Sequence, residues 1–268
     1  CSQYSEVHVC ESQAGLAFSL RGANKRGFTA AHVAAGGGLE ECLKALLEAK
    51  ADLNRRASFG ATPAHVAGWT SQPGSLKILV QARADLEARD GGGHTPVNTP
   101  GACTSLPCLK LLLDAAADPQ TTNTSCGTPA HWAAAKGSVE CLRMLCDMKA
   151  DCGVTASSHT PGFFAVMGGQ QATLKLLLEN HAIPQTALEQ PDASGLTLLM
   201  QAAAHGEEPL LHILLAAQAD LHTATAGGET ACHLAGRAGH GSCVCALEIA
   251  GSVLVTPNRA GVSPLLAC

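Results

Sequence analysis

Twelve histidines and thirteen cysteines stand among the 268 residues, and these are the residue types that build zinc centres and Cys-His nucleophile pairs. A structural zinc site needs two ligand pairs at short spacing. Cys243 and Cys245 lie close together, as do Cys103 and Cys108, but neither pair is joined by a second Cys or His pair at such a spacing. No metal and no cofactor are expected. The phosphate loop G-x-x-x-x-G-K-[ST], the zinc-protease H-E-x-x-H and the nucleophile elbow G-x-S-x-G are missing from the sequence. Four of the histidines return instead in one phrase: TAAHVA from Thr29, TPAHVA from Thr62, TPAHWA from Thr128 and TACHLA from Thr230. A histidine that recurs with its neighbours belongs to a repeated scaffold.

The composition agrees with a scaffold. Hydrophobic residues make up 46% of the chain and aromatic ones 3%, so the core must come from Ala, Leu, Val and Cys. Small side chains suit thin, closely packed helix pairs better than a deep ligand pocket, and no small-molecule substrate is expected. Charged residues are 15% with a net charge of -5, and the few basic groups are not interleaved with aromatics, so nucleic acid is not the expected partner. The cysteines are spread without paired spacings and read as reduced. Cys42, Cys141 and Cys243 fall at corresponding places, as small apolar core residues would. No run of apolar residues is long enough for a membrane span. The start lacks a signal-peptide pattern and an initiator Met, which suggests a fragment of a cytoplasmic protein, with the nucleus as the other compartment.

The period is explicit once the phrase is aligned. Thr29, Thr62, Thr95, Thr128, Thr160, Thr197, Thr230 and Ser263 follow one another at 33, 33, 33, 32, 37, 33 and 33 residues. Fourteen residues after each Thr comes Leu43, Leu76, Leu109, Leu142, Leu174, Leu211 or Val244. Twenty-three residues after it comes Asp52, Asp85, Asp118, Asp151 or Asp220, with Ile183 and Val253 breaking the column. Thr caps a helix and Pro at the next position has the φ that the first helical residue requires. A Gly such as Gly38, Gly137, Gly206 or Gly239 then separates this helix from a second, amphipathic one. Glycines two before the Thr, from Gly27 to Gly261, fit a tight turn with positive φ.

A period near 33 with a T-P-L-H-x-A phrase resembles the ankyrin repeat family over residues 27 to 268. The resemblance implies an all-α solenoid of stacked helix-turn-helix pairs with β-turn fingers. Repeats would start near 27, 60, 93, 126, 158, 195 and 228, with a truncated one from 261 and a partial or capping repeat over 1–26. It implies that His32, His65, His131 and His233 hydrogen-bond within their own turn and toward the adjacent repeat. Asn98, Phe163 and Met200 stand in that place in three repeats. It also implies a non-catalytic scaffold that binds a protein partner through the concave face and fingers. The alternative is the recognition arm of a larger enzyme, channel or ubiquitin-ligase adaptor.

Departures from the pattern locate weak points. Pro100 and Gly101 fall inside the first helix of repeat three, which should be short or irregular. The longer spacing after repeat five places an extended loop at 183–195. Lys50, Arg83, Ala116, Lys149, His181 and Gln218 occupy the place of the family's Gly after the second helix, each costing about 1 kcal/mol if the left-handed conformation is kept.

Candidate partner-binding residues follow from the same alignment. Trp69 lies seven after Thr62, a place that in this family faces the groove, whereas Trp132, four after Thr128, should be core. Lys25, Arg26, Arg55, Arg56 and Arg89 put positive charge on the neighbouring fingers, which would suit an acidic segment with an apolar anchor. Asn54, after Asp52 and Leu53, resembles sites that asparaginyl hydroxylases modify in such arrays. A hydrogen bond within the finger turn is the preferred reading of Asn54.

Overall fold

The computed structural model describes residues 22–125, 127–152, 159–180, 183, 185–252 and 257–264. The expectations for most of residues 1–26, for His181 and Val253, and for the chain after 264 lie outside them. Regular structure among the described residues is helical apart from isolated β-bridges such as Ala23 with Thr29. None of those helices is long and apolar enough to cross a membrane.

Two compact units divide the chain at Pro129 and Ala130. The first holds α1 (Ala30–Gly36), α2 (Glu40–Glu48), α3 (Pro63–Trp69), α4 (Pro73–Gln81), a 3-10 turn (Pro96–Asn98), α5 (Pro100–Thr104) and α6 (Leu106–Asp114). Within it α1 packs on α3 and α2, and α4 packs on α2 and α6. The second opens with α7 (Pro129–Lys136) and continues with α8 (Val139–Asp147), α9 (Pro161–Met167), α10 (Gln171–Glu179), α11 (Gln185–Leu188), α12 (Leu198–His205), α13 (Glu208–Ala216), α14 (Ala231–Arg237) and α15 (Gly241–Ile249). There α12 packs on α9 and α14, while α13 packs on α10 and α15.

The first, inner helices of the pairs, α1, α3, α9, α12 and α14, start at a Thr in extended backbone, as at Thr62 with φ -98° and ψ 167°, and Pro follows as the first helical residue in α3, α7 and α9. The outer helices bury one stripe. Leu43, Leu76, Leu109, Leu142, Leu174 and Leu211 are all 0% exposed, and full burial of a Leu is worth about 2 kcal/mol. That exceeds the cost at the end of the same helices, where Lys50, Arg83, Ala116, Lys149 and Gln218 keep the left-handed conformation with φ between 55° and 63°. They keep it because it recovers two carbonyls per end: Lys50 N–H donates to Leu47 O and Ala51 N–H to Leu46 O, the pairing of a Schellman motif.

Repeat three is irregular for the expected reason. Thr99 leaves the helical region with φ -83° and ψ 143°, the first helix splits into the 3-10 turn and α5, and Pro100 becomes the first residue of the restarted helix. Gly101 is required there, because a Cβ on it would press on the carbonyls of Gly68 and Trp69. The insertion in repeat five differs from the extended loop that the spacing predicts. It contains the single turn α11, with Leu188 1% exposed, because an apolar residue at that point can drop into the core once one turn of helix carries it there. Cys42 also departs from expectation, being exposed while Cys141 and Cys243 are buried. Its position points to the preceding repeat, as shown by the Thr173 hydroxyl donating to Ala134 O, and among the described residues no helix pair precedes that of Cys42.

Candidate functional site: the finger edge of the first unit

The recurring histidines hydrogen-bond within the scaffold, and His32 and His65 do so through both ring nitrogens. Thr62 N–H donates to His65 Nδ1 at 3.2 Å, so Nδ1 is an acceptor and the proton sits on Nε2. From there it is donated to His94 O, 29 residues on, at 2.8 Å. His32 repeats the arrangement with Thr29 N at 3.1 Å and Ala61 O at 3.0 Å. Burial pushes both imidazoles below their ordinary pKa, and protonation of Nδ1 would also break the bond from the Thr amide. In the second unit His131 Nε2 reaches His159 O at 3.2 Å, and His233 accepts from Thr230 N–H while its buried Nε2 has no partner among the described residues. Where Asn98 replaces the histidine, its Nδ2 donates to Gly127 O, again 29 residues on, and to Thr121 O, both at 2.8 Å. His32 and His65 have no ring nitrogen left to act as a base.

A second ladder joins the loops that follow the outer helices. Asp52 Oδ1 accepts from Asn54 N–H, and Asn54 Oδ1 accepts from Asp85 N–H at 2.8 Å. Glu87 takes Asp118 N–H in the same way, and Glu189 takes Asp220 N–H in the second unit. The Asn54 side-chain oxygen is thus part of the contact between two loops.

The basic residues group by role. Lys25, Arg26, Arg55, Arg56 and Arg89 are all exposed. Arg56 donates to Gly60 O within its own finger and to Arg89 O in the next. Arg89 does the same with Gly93 O at 3.1 Å and Thr122 O at 2.6 Å. These two guanidinium groups staple successive fingers together while keeping their charge at the surface. The acidic groups of the same loops, Asp52, Asp85 and Glu87, are turned onto backbone N–H groups.

Trp69 ends α3 and is half-buried. Its ring lies 5.8 Å from that of Phe59 and 6.1 Å from that of His65. Phe59 is in turn 5.5 Å, edge to face, from Phe28, and it remains 37% exposed. A row of three aromatic rings therefore links the fingers of Phe28 and Phe59 to the end of α3, at distances where ring pairs attract. Sequence reasoning singled out Trp69 and missed Phe28 and Phe59. The available signal was their place beside the finger glycines Gly27 and Gly60 in a chain poor in aromatics. Trp132, expected as core, is half-buried instead, since an indole is too large to be wholly covered in a layer of alanines. The second unit has its own aromatic group, with Phe163 4.1 Å from His159 and Phe164 5.5 Å from His131.

Comparison with known proteins gives one consistent result. The family model described as ankyrin repeats (3 copies) matches residues 8–90 and 102–187, and the one described as ankyrin repeats (many copies) matches 199–248. No curated protein matches in sequence. Among solved structures, the human ASB11 ankyrin repeat domain superposes with a TM-score of 0.75 at 23% identity, over 84% of this chain and 99% of that one. The capped helix pairs, the paired finger turns and the matched family models lead to one conclusion: the chain belongs to the ankyrin repeat family and folds as an all-α repeat solenoid.

Proposed function

We propose that the first unit holds a protein partner in the groove between its fingers and inner helices, with no chemical step of its own. Ankyrin repeats are in general protein-interaction modules, and the observation that makes this reading specific is the half-exposed row Phe28, Phe59, Trp69, whose two Phe rings follow the exposed basic pairs Lys25–Arg26 and Arg55–Arg56 closely in the chain. Large rings already held against one another lose little entropy on binding, which is what an interface hot spot requires. The partner is a segment with an apolar anchor for the rings and acidic residues for Lys25, Arg26, Arg55, Arg56 and Arg89.

Selection from an unbiased displayed peptide library on the full chain tests this. Acidic peptides with one large apolar residue are expected, and Trp69→Ala should weaken them by at least about 2 kcal/mol, roughly thirtyfold. Lys25→Ala with Arg55→Ala should slow association and flatten its salt dependence. Arg55 is preferred to Arg56 here because Arg56 also staples two fingers. Selected peptides without acidic bias, or with affinity unchanged in a folded Trp69→Ala variant, would defeat the assignment.

A further inference from the structure

The last turn of α8 carries Cys146, and the chain then doubles back on itself. Lys149 has φ 58°; its N–H donates to Cys146 O at 2.9 Å and Ala150 N–H donates to Leu145 O at 3.0 Å. This reversal returns the following residues to the helix end and sets Cys152 beside Cys146, with the two sulfurs 3.0 Å apart. An S–S bond is about 2.05 Å long, so an approach of roughly 1 Å would close it. Cys146 is half-buried and Cys152 is 2% exposed. Such an unequal pair suits an attacking and a resolving thiol.

We propose that Cys146 and Cys152 form a reversible disulfide in response to a hydroperoxide, linking the end of α8 to the loop that follows it. The Cys146 thiolate attacks a peroxide oxygen; the O–O bond breaks and hydroxide leaves to take a proton, giving a sulfenic acid. Cys152 then loses its proton and attacks the Cys146 sulfur, so that the S–S bond forms as the S–O bond breaks and water departs. Two thiols are oxidised and one hydrogen peroxide is reduced to two waters. The electrostatics assign the roles in the same order. The hydrogen bond from Cys152 holds the Cys146 thiol down to about 7, helped by the Asn180 side chain at the end of α10 and by Arg143, and opposed by burial and Asp147. That same bond and burial push the Cys152 thiol up, with Asp151 adding to it.

The test treats the reduced full chain with stoichiometric hydrogen peroxide at pH 7, blocks remaining thiols with N-ethylmaleimide and maps tryptic peptides without reduction. The exposed thiols Cys42 and Cys245 serve as internal controls. A linked Cys146–Cys152 peptide pair should form at least about tenfold faster than oxidation at either control, and dithiothreitol should reverse it. In Cys152→Ser the sulfenic acid should persist on Cys146 and be captured by dimedone. No linked pair in the wild-type chain, or controls that oxidise as fast as Cys146, would overturn the proposal. The wild-type map decides alone if far-UV circular dichroism shows that Cys152→Ser does not fold.

Discussion

Neighbouring alanines at the end of α6 should respond in opposite senses to the same substitution. Ala116 is exposed in the left-handed region at φ 63°, and Ala115, one residue earlier, is right-handed at φ -86°. A Cβ in the left-handed region costs about 1–2 kcal/mol. Gly removes that cost, but it gives the unfolded chain more freedom, worth about 0.4–1 kcal/mol against folding. Ala116→Gly should therefore stabilise the first unit by about 0.5–1 kcal/mol. Ala115→Gly has only the loss to show, about 0.5–1 kcal/mol, plus its half-buried methyl. The gap between the two variants is then about 1–2 kcal/mol. Urea unfolding followed by Trp69 fluorescence in a Trp132→Phe background reads the first unit, and an unchanged m-value shows that the midpoint shift is a stability change. An Ala116→Gly protein that is no more stable than its parent would refute the reasoning, because the left-handed backbone would then be costing nothing.

Stability should fall as pH drops below about 6.5, the value of an unfolded histidine, because His32 and His65 have lowered pKa values when folded and the unfolded chain then binds more protons. Urea midpoints at pH 7.5 and 5.5 check this; His65→Asn, which copies the donor role of Asn98, should shrink the difference, and equal midpoints in the parent would contradict it. Gly101→Ala should cost about 2 kcal/mol or more by overpacking and shift Trp69 emission, since the added methyl would press on the Trp69 carbonyl; a variant as stable as the parent would remove the close-approach argument.

What could be read from the residues alone was whatever is settled within a few neighbours. The Thr caps, the glycines such as Gly27, Gly60 and Gly93 with φ 75–80°, and the buried Leu43-to-Leu211 column are local consequences of capping, positive φ and helical period. Asn98 lay beyond reach for a different reason. The stack preserves a donor aimed at a carbonyl 29 residues away, and that geometry, not the residue name, is what a repeat conserves from one unit to the next. The stapling by Arg56 and Arg89 was hidden in the same way, because a basic residue on a finger looks alike whether it faces solvent or the next finger. Phe28 and Phe59 occupy different phases of their repeats, so alignment on Thr separates two rings that the fold brings to 5.5 Å. The turn α11 carries Leu188 into burial, which the extra four residues in the spacing do not announce.

The histidine bonds also give the stack a direction. Ala61 O, His94 O and Gly127 O each accept a second bond inside their own finger, from Ala57, Asp90 and Asn123 N–H respectively. With the whole finger, from Ala57, Asp90 or Asn123 onward, counted with the helix pair that follows it, a repeat that loses the neighbour before it keeps these three carbonyls partnered. A repeat that loses the neighbour after it strands a buried imidazole or amide donor, at a cost of about 1–3 kcal/mol each. The lower ladder does not restore the balance, since the amides of Asp85 and Asp118 lie at the surface, where water replaces the lost acceptor. Cohesion in the first unit is thus vectorial: the repeats of His32, His65 and Asn98 lean forward on their successors, and unravelling there is resisted less when it advances from the amino-terminal side than from the carboxyl-terminal side.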